Sequence, residues 1–231
     1  MRADKYISEA GYTSRRKAND LLDEKRVLVN GNIAKPGTEI KDGDVVLIDG
    51  KKLIPKEFIP TYIAYNKPKG IECTTEQIAN NIIDAIGHQQ KIYPIGRLDK
   101  DSEGLILLTN HSEIMNKIAH AEFGHEKEYI VTLNLPVRKQ FLKEIAEGVT
   151  IQGEKTKPCV VSLEPNAKRI FRITLTQGLN RQIRRMCNAA DYQVIKLQRV
   201  RVMNIKLGKL KLGEWRDLTQ EELTELFAQL A

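Results

Sequence analysis

The sequence predicts an α+β fold, in which a mixed, mostly antiparallel sheet is flanked by helices. Side chains alternate with a period of two across residues 126–134, as expected for a half-buried strand. A helical pattern follows over residues 138–147 and another ends the chain at residues 220–230. Because 231 residues exceed the usual size of one domain, we expect a small N-terminal α/β domain beside a larger one.

The composition is that of an ordinary globular protein, with 41% hydrophobic and 29% charged residues. No apolar run approaches the roughly 18 residues of a membrane span, and residues 1–5 lack the apolar core of a signal peptide. We therefore expect a cytoplasmic protein that does not bind membranes. Cys73, Cys159 and Cys187 form no Cys-x-x-Cys pair, and the histidines show no metal-binding spacing. The sequence predicts neither a disulfide framework nor a metal site.

The net charge of +7 is concentrated in one segment, residues 181–211. That segment holds nine basic residues against the single acid Asp191, so the rest of the chain is close to neutral. A concentrated basic excess is typical of a surface that contacts phosphates. A solvated charged face is the alternative.

Residues 1–48 form the first predicted unit, with two helices followed by short strands. The first helix ends near Gly11, and Thr13 or Ser14 is placed to cap the second. Asn30-Gly31 between two β-prone runs predicts a hairpin. The opening turns of the second helix would carry three cations side by side: Arg15, Arg16 and Lys17.

Residues 49–60 are rich in lysine, proline and glycine and predict a linker. Residues 62–66 then alternate like a strand and lead into Lys67-Pro68-Lys69-Gly70. Proline and glycine in this tetrapeptide predict a turn beside two cations.

The stretch Gly96-Arg97-Leu98-Asp99-Lys100-Asp101-Ser102-Glu103-Gly104 is a charged turn between two glycines, and it precedes the apolar run 105–109. A turn that enters a buried strand is a common place for reactive side chains. Asp99 is our first candidate for such a group. A solvated loop with internal ion pairs is the alternative.

The later elements complete the sheet and add a basic helix. Tyr129 shares a strand face with Val131, and residues 171–175 and 194–203 predict further strands. Asn180 is placed to cap a helix that buries Ile183 and Met186. The opposite face of that helix would present three arginines: Arg181, Arg184 and Arg185.

Several of these motifs carry a family resemblance. The stretch from Gly96 to Asp99, with Ser102 and Gly104 after it, resembles the catalytic motif of pseudouridine synthases. The Lys-Pro-x-Gly turn is similar to the family's first motif, and Lys127-Glu128-Tyr129 stands where the family has an active-site tyrosine. Residues 1–48 resemble an S4 RNA-binding domain. Within the family, the chain is most similar to the branch that modifies bacterial ribosomal RNA, in particular to the RluF type of large-subunit (23S) enzyme.

The resemblance implies a pseudouridine synthase fold and a role for each matching residue. Asp99 would attack uracil C6 or ribose C1′, or act as a base, and Arg184 would pair with it and keep it ionised. Tyr129 would stack on the flipped uracil, Arg97 would point into the gap left in the RNA, and Ile183 would close the pocket. The other expected RNA contacts are Arg181, Arg185, Lys67, Lys69, Arg15, Arg16 and Lys17.

The resemblance also implies the domain plan and the partners. We expect an S4-like domain at 1–48, a linker at 49–60 and the catalytic domain at 61–231. The expected enzyme is a monomer that needs no cofactor and acts on 23S ribosomal RNA, with transfer RNA as an alternative substrate. Two other functions stay open at this point: a non-catalytic RNA-binding protein in ribosome assembly, and a metal-dependent nuclease or phosphatase using Asp99 and Asp101.

Overall fold

The computed structural model describes residues 1–55, 58–119 and 124–231. They fall into two compact units, Met1–Ile59 and Pro60–Ala231. Residues 56–57 of the predicted linker and one of the histidines, His120, lie outside the described residues.

The N-terminal unit contains two helices and a small antiparallel sheet. Its elements are α1 (Ala3–Glu9), α2 (Arg15–Asp23), β1 (Val27–Val29), β2 (Asn32–Ile33), β3 (Val46–Ile48) and β4 (Lys51–Lys52). The strand order is β2-β1-β3-β4. Ser14 caps α2 by accepting a hydrogen bond from the amide of Lys17. The predicted hairpin is confirmed, since Asn30 and Gly31 connect β1 to β2 and both have the positive φ that a two-residue turn requires.

The beginning of the predicted linker differs in the structure. Residues Lys51–Lys52 pair with β3, and the side chain of Leu53 is buried in the core of the N-terminal unit. The lysine-rich composition predicted a linker where the structure has an edge strand. Strand pairing uses backbone groups, so an edge strand can carry exposed charged side chains.

An ion pair joins the two helices of this unit. The buried carboxylate of Asp4 accepts hydrogen bonds of 2.9 Å from Nε of Arg15 and from Nε of Arg2. Burial by itself would raise the pKa of Asp4, but the two guanidinium groups outweigh burial, and the pKa is lowered. Arg15 therefore has a structural partner within its own unit, whereas the side chain of Arg16 is exposed.

We expect Arg15→Ala to lower the free energy of opening of α1 and α2 by about 2 kcal/mol, because Asp4 would lose one of its two cationic partners. Arg16→Ala is the matched control and should change it by less than about 0.5 kcal/mol. Hydrogen exchange of the two helices, followed by mass spectrometry, measures both values. Equal values for the two variants would contradict the structural role of Arg15.

The same ion pair has a predictable pH dependence. Because folding lowers the pKa of Asp4, its stabilising contribution is present above the ordinary value of 3.8 and is lost as the pH falls through the lowered pKa. The difference between the wild type and Arg15→Ala should therefore shrink in acid.

The second unit is built on one large sheet. Its elements are β5 (Tyr62–Lys67), α3 (Ile82–Ile86), β6 (Tyr93–Pro94), β7 (Glu103–Thr109), α4 (Ser112–Ala119), β8 (Lys127–Leu133), α5 (Lys139–Glu147), β9 (Thr150–Ile151), β10 (Glu154–Lys155), β11 (Val160–Leu163), β12 (Ile170–Leu175), α6 (Gln182–Asn188), β13 (Val194–Val202), β14 (Ile205–Lys206), β15 (Trp215–Asp217) and α7 (Gln220–Leu230). The order is β11-β12-β8-β13-β7-β5-β15, with β14 beside β13 and β6 beside β7. Between the described strands of this sheet only β7 and β13 are parallel, so the predicted mixed, mostly antiparallel sheet is confirmed.

Strand β7 lies inside this sheet, between β13 and β5, and is buried along its whole length. On one face, Leu105 and Leu107 belong to an apolar cluster with residues of α4 and α7. On the other face, Ile106 and Leu108 belong to a cluster with residues of α3. Helices on both faces explain why residues 105–109 read as a continuous apolar run. The charged turn that precedes β7 is thus attached to a well-fixed strand.

Candidate active site

A cavity of about 650 Å³ lies beside the start of β7 in the second unit. A volume of this size suits a small ligand of nucleoside dimensions. The cavity brings together parts of the chain that are far apart in sequence: the turn before β7, the strands β8 and β13, and the loop that leads into α6. Five residues singled out from the sequence line it: Arg97, Asp99, Tyr129, Arg181 and Ile183.

One row of residues crosses the sheet at this cavity. Tyr129 on β8 is opposite Arg199 on β13, and Arg199 is opposite Gly104 on β7. Gly104 is in turn opposite Lys67 on β5. Residues that are directly opposite on neighbouring strands share a face of the sheet. The tyrosine and the glycine of two separate sequence motifs therefore belong to one structural row.

The backbone of the turn is fixed at each of the five successive carbonyl groups of residues 97–101. The donors are Nη1 of Arg199 to Arg97 (3.5 Å), Sγ of Cys73 to Leu98 (3.2 Å), the Ser102 amide to Asp99 (3.0 Å), the Gly70 amide to Lys100 (2.9 Å) and Nη2 of Arg184 to Asp101 (3.1 Å). A backbone held in this way positions its side chains with little freedom, as a reactive group requires.

The side chain of Asp99 is half-buried in the cavity wall. Its carboxylate makes no hydrogen bond or ion pair with any residue that the structure describes, although its backbone is fixed. The family resemblance implies a direct pair between Asp99 and Arg184, and the structure does not contain it. The guanidinium of Arg184 instead binds the carbonyl groups of Val194 and Asp101, each at 3.1 Å.

Arg184 nevertheless acts on Asp99 through its charge. Burial lowers the pKa of Arg184, and the nearby Arg181 lowers it further, while the carboxylates of Asp101 and Asp99 oppose this shift. Nε of Arg184 is buried and has no hydrogen-bond partner among the described residues. The arginine thus supplies positive charge beside the turn, while its two Nη groups donate to backbone carbonyls.

Lys67 was expected to contact RNA, and the structure contradicts this. Its side chain is fully buried, and Nζ donates hydrogen bonds of 2.9 Å to the carbonyls of Pro68 and Ile71. Burial lowers the pKa of Lys67. Lys67 therefore stabilises the turn through the two carbonyl groups that point toward its ammonium group. Lys69, the other cation of this turn, is exposed and stays a candidate for RNA contact.

The helix that carries the arginines begins later than the sequence predicts. It starts at Gln182, and the residue at its cap is Arg181 with φ of 51°, so Asn180 is not the cap. The Asn180 side chain instead accepts a hydrogen bond of 2.8 Å from Arg185. Arg181 therefore does not share a helix face with Arg184 and Arg185, and it pairs with Asp101 at 3.3 Å.

The basic segment 181–211 is less available to RNA than its charge suggests. Arg199 is buried and donates to the carbonyl of Leu105 at 2.6 Å. Arg201 binds Glu126 and Glu128, and Lys196 binds Glu103. Much of the charge excess is neutralised by acids on neighbouring strands, which a count along the sequence does not reveal.

The cavity itself remains positive. Five basic residues line it against two acids: Arg97, Lys100, Lys127, Arg181 and Arg199 against Glu72 and Asp99. An excess of this sign favours an anionic ligand. Lys127, Arg199 and Cys73 were not singled out as site residues from the sequence. The period of two on β8, which places Lys127 on the face of Tyr129, was a usable signal for the first of them.

Two further observations concern metals and membranes. Across residues 1–55, 58–119 and 124–231, no three His, Cys, Asp or Glu side chains are grouped so that they could hold a metal ion. None of the helices in this part of the chain combines the length and apolar character needed to span a bilayer.

Comparison with known proteins gives consistent matches over nearly the whole chain. The family model described as "RNA pseudouridylate synthase" matches residues 61–189, and the model described as "S4 domain" matches residues 1–46. The chain is 50% identical to the dual-specificity RNA pseudouridine synthase RluF of Escherichia coli (strain K12) over 229 residues, which are 98% of this chain and 78% of that protein. It is 34% identical to the ribosomal large subunit pseudouridine synthase B of Bacillus subtilis (strain 168), covering 98% of this chain and 96% of that protein.

A solved structure shares the fold as well. A crystal structure described as that of a pseudouridylate synthase aligns with a TM-score of 0.71 at 31% sequence identity. The alignment covers 98% of this chain and 99% of that one.

Proposed function

The chain belongs to the RNA pseudouridylate synthase family and is an RNA pseudouridine synthase, an isomerase, and we propose that it converts one uridine of 23S ribosomal RNA to pseudouridine. The observation that carries the proposal is the meeting of Asp99, Tyr129 and Arg97 at one cavity of nucleoside size. The large-subunit name of the Bacillus subtilis relative supports this RNA as the substrate.

Asp99 is the proposed reactive group. The reaction breaks the bond between ribose C1′ and uracil N1, turns the uracil and joins C5 to C1′. A carboxylate on a fixed backbone, with no competing partner among the described residues, is available to attack C6 or C1′ or to act as a base. The positive charge of Arg184 lies close enough to the Asp99 carboxylate for the two charges to attract each other. No step needs a cofactor.

The uridine has to leave its stack to reach Asp99. We propose that Tyr129 stacks on the flipped uracil, Ile183 closes the apolar side of the pocket, and the exposed Arg97 occupies the gap in the RNA. Flipping costs a few kcal/mol, which contacts to the RNA backbone have to offset. The cations proposed for these contacts are the exposed Arg181, Lys69, Arg16 and Lys17 and the half-buried Arg185, with Arg15 limited by its pair with Asp4.

We expect Arg181→Ala to weaken RNA binding and to reduce the slope of log affinity against log salt by about one, because one phosphate contact would be lost. Filter binding across a salt series measures the slope. Lys143→Ala on α5 removes the same charge outside the cavity lining and serves as the control. An equal change of slope in both variants would mean that Arg181 acts only through net charge.

A second RNA substrate is part of the proposal. The Escherichia coli relative is named a dual-specificity enzyme, and this chain is 50% identical to it. We therefore propose transfer RNA as a second substrate, to be tested beside ribosomal RNA. We also propose that the protein acts as a monomer in the cytoplasm.

Pseudouridine mapping by chemical labelling and reverse-transcription stops tests the proposal. Ribosomal and transfer RNA are compared from cells lacking the gene, cells with the intact gene and cells with Asp99→Asn. We expect one 23S stop that only the intact protein restores. An unchanged ribosomal map with a changed transfer RNA map would move the substrate to transfer RNA. Two unchanged maps would contradict the proposed substrate in both forms.

A further inference from the structure

We propose that Lys127 is a further catalytic residue, whose ammonium group binds the oxygen atoms of the flipped uracil and balances the negative charge that the ring gains during the reaction. The inference rests on the proposed function, because it takes the cavity for the uridine pocket. Lys127 lines that cavity from the first position of β8.

Lys127 differs from most cations of the cavity in its lack of a partner. Lys100, Arg181 and Arg199 each bind an acidic side chain or a backbone carbonyl. In the part of the chain that the structure describes, the side chain of Lys127 makes no hydrogen bond or ion pair. The guanidinium of Arg97 is also unpaired there, but it is exposed to water. Of these two unpaired cations of the cavity, Lys127 is therefore the one whose side chain is partly buried.

An unpaired, partly buried cation is costly to keep. Burial lowers the pKa of Lys127, and the charge of Arg199 lowers it further. His125, just before β8, is also close enough for the two charges to interact. An anionic or strongly polarised oxygen atom that enters the cavity would recover part of the lost solvation. The environment thus favours a ligand that gains negative charge.

The position of Lys127 on the strand directs it to the uracil. Lys127 and Tyr129 are two residues apart on β8, so both side chains are on the same face, with Cα atoms about 7 Å apart. A base stacked on the ring of Tyr129 would have one edge within reach of the long lysine side chain. The polar edge of uracil carries O2 and O4, which are hydrogen-bond acceptors.

Each open route for Asp99 places negative charge on these atoms. If Asp99 attacks C6, the electron pair of the C5–C6 double bond moves through C4 and forms an enolate at O4. If the C1′–N1 bond breaks first, its electron pair remains on the uracil as an anion shared between N1, O2 and O4. Once the C1′–N1 bond has broken, C5 bonds to C1′ and displaces Asp99 from C1′ if it had attacked there. Loss of the C5 proton then restores the C5–C6 double bond and expels Asp99 from C6 if it had added there. N1 gains a proton, so the isomerisation is balanced. Lys127 stays protonated throughout and stabilises the charged state electrostatically.

The test compares Lys127→Met, of similar length but uncharged, with Lys127→Arg, which keeps the charge. Single-turnover rates of pseudouridine formation and RNA dissociation constants are measured with the full protein and a target-containing RNA fragment. We expect Lys127→Met to lower the rate by about 100-fold with the dissociation constant within about threefold. Lys127→Arg should retain most of the rate.

A pH profile separates this role from a structural one. The wild-type rate should fall at alkaline pH, as Lys127 loses its proton below the ordinary lysine value of 10.5. The rate of Lys127→Arg should not show that fall, because arginine keeps its proton. If Lys127 had only a structural role, the pH dependence of the rate would be the same in the wild type and in Lys127→Arg. The cations and acids that face the same cavity, including Arg199, Asp99 and Glu72, are unchanged in both variants.

The outcomes distinguish this inference from the proposed function. If the wild type formed no pseudouridine in the RNA fragment, the proposed function itself would be contradicted. An active wild type, an inactive Asp99→Asn and a Lys127→Met rate within about threefold of the wild type would overturn only the role of Lys127. A loss of RNA affinity without a loss of rate would also overturn it, because Lys127 would then contact the RNA backbone.

Discussion

Asp99→Asn is expected to abolish pseudouridine formation while RNA affinity stays within about tenfold, or about 1.4 kcal/mol. The amide has nearly the shape of the carboxylate but cannot attack carbon or accept a proton at neutral pH. A single carboxylate contributes little to the binding of a polyanion, whose affinity comes mainly from phosphate contacts. Because five carbonyl groups of the turn are held by other residues, the backbone should keep its position in the variant.

The measurements are the single-turnover rate and the dissociation constant for the same RNA fragment. Asp101→Asn is a matched control, since the same change occurs two residues away on an exposed side chain that does not line the cavity. It should keep the rate within about tenfold, with its main effect on the pair with Arg181. An equal loss of rate in both variants, or a parallel loss of rate and binding for Asp99→Asn, would show that Asp99 is not the chemical group.

Gly104→Ala is expected to lower the free energy of unfolding of the second unit by about 3 to 5 kcal/mol. Gly104 has a φ of 106°, a conformation that is almost restricted to glycine. A Cβ atom there would also clash with the backbone of Arg199 on the parallel strand β13. Since Arg199 holds the carbonyl of Arg97, relief of the clash would also displace the turn that carries Asp99.

Gly70→Ala is the control, because Gly70 has a similar φ of 88° but open space where the Cβ would be. It should cost about 1 to 2 kcal/mol from backbone strain alone. Urea unfolding followed by fluorescence of Trp215, the one tryptophan of the sequence and part of the same sheet, measures both variants. A cost for Gly104→Ala no greater than that for Gly70→Ala would contradict the importance of the strand contact.

The fold was largely predictable because its signals are local. The period of two on β8, the Asn30-Gly31 turn and the Ser14 cap of α2 each depend on residues within a few positions of one another. The error at residues 51–53 has the opposite cause. A two-residue edge strand is defined by its backbone pairing with β3, and its own composition does not predict that pairing.

The site was predictable only in part, and its errors concern cations. Lys67 and Arg184 were expected to face RNA and Asp99, yet Nζ of Lys67 and both Nη groups of Arg184 donate hydrogen bonds to backbone carbonyls. Sequence gives the number and spacing of charges but not the acceptors that other strands bring to them. Buried carbonyl groups must be satisfied, and an arginine or lysine nearby satisfies them before it reaches a ligand.

The sequence by itself determined the α+β class, the motif residues Asp99 and Tyr129, and the glycine at 104. What only the tertiary structure decided was their arrangement, including the row from Lys67 to Tyr129 and the partners of each arginine. The reason is the sequence distance of the deciding contacts. Arg199 reaches a carbonyl 102 residues earlier and Arg184 one 83 residues earlier, and only the completed sheet brings such groups together.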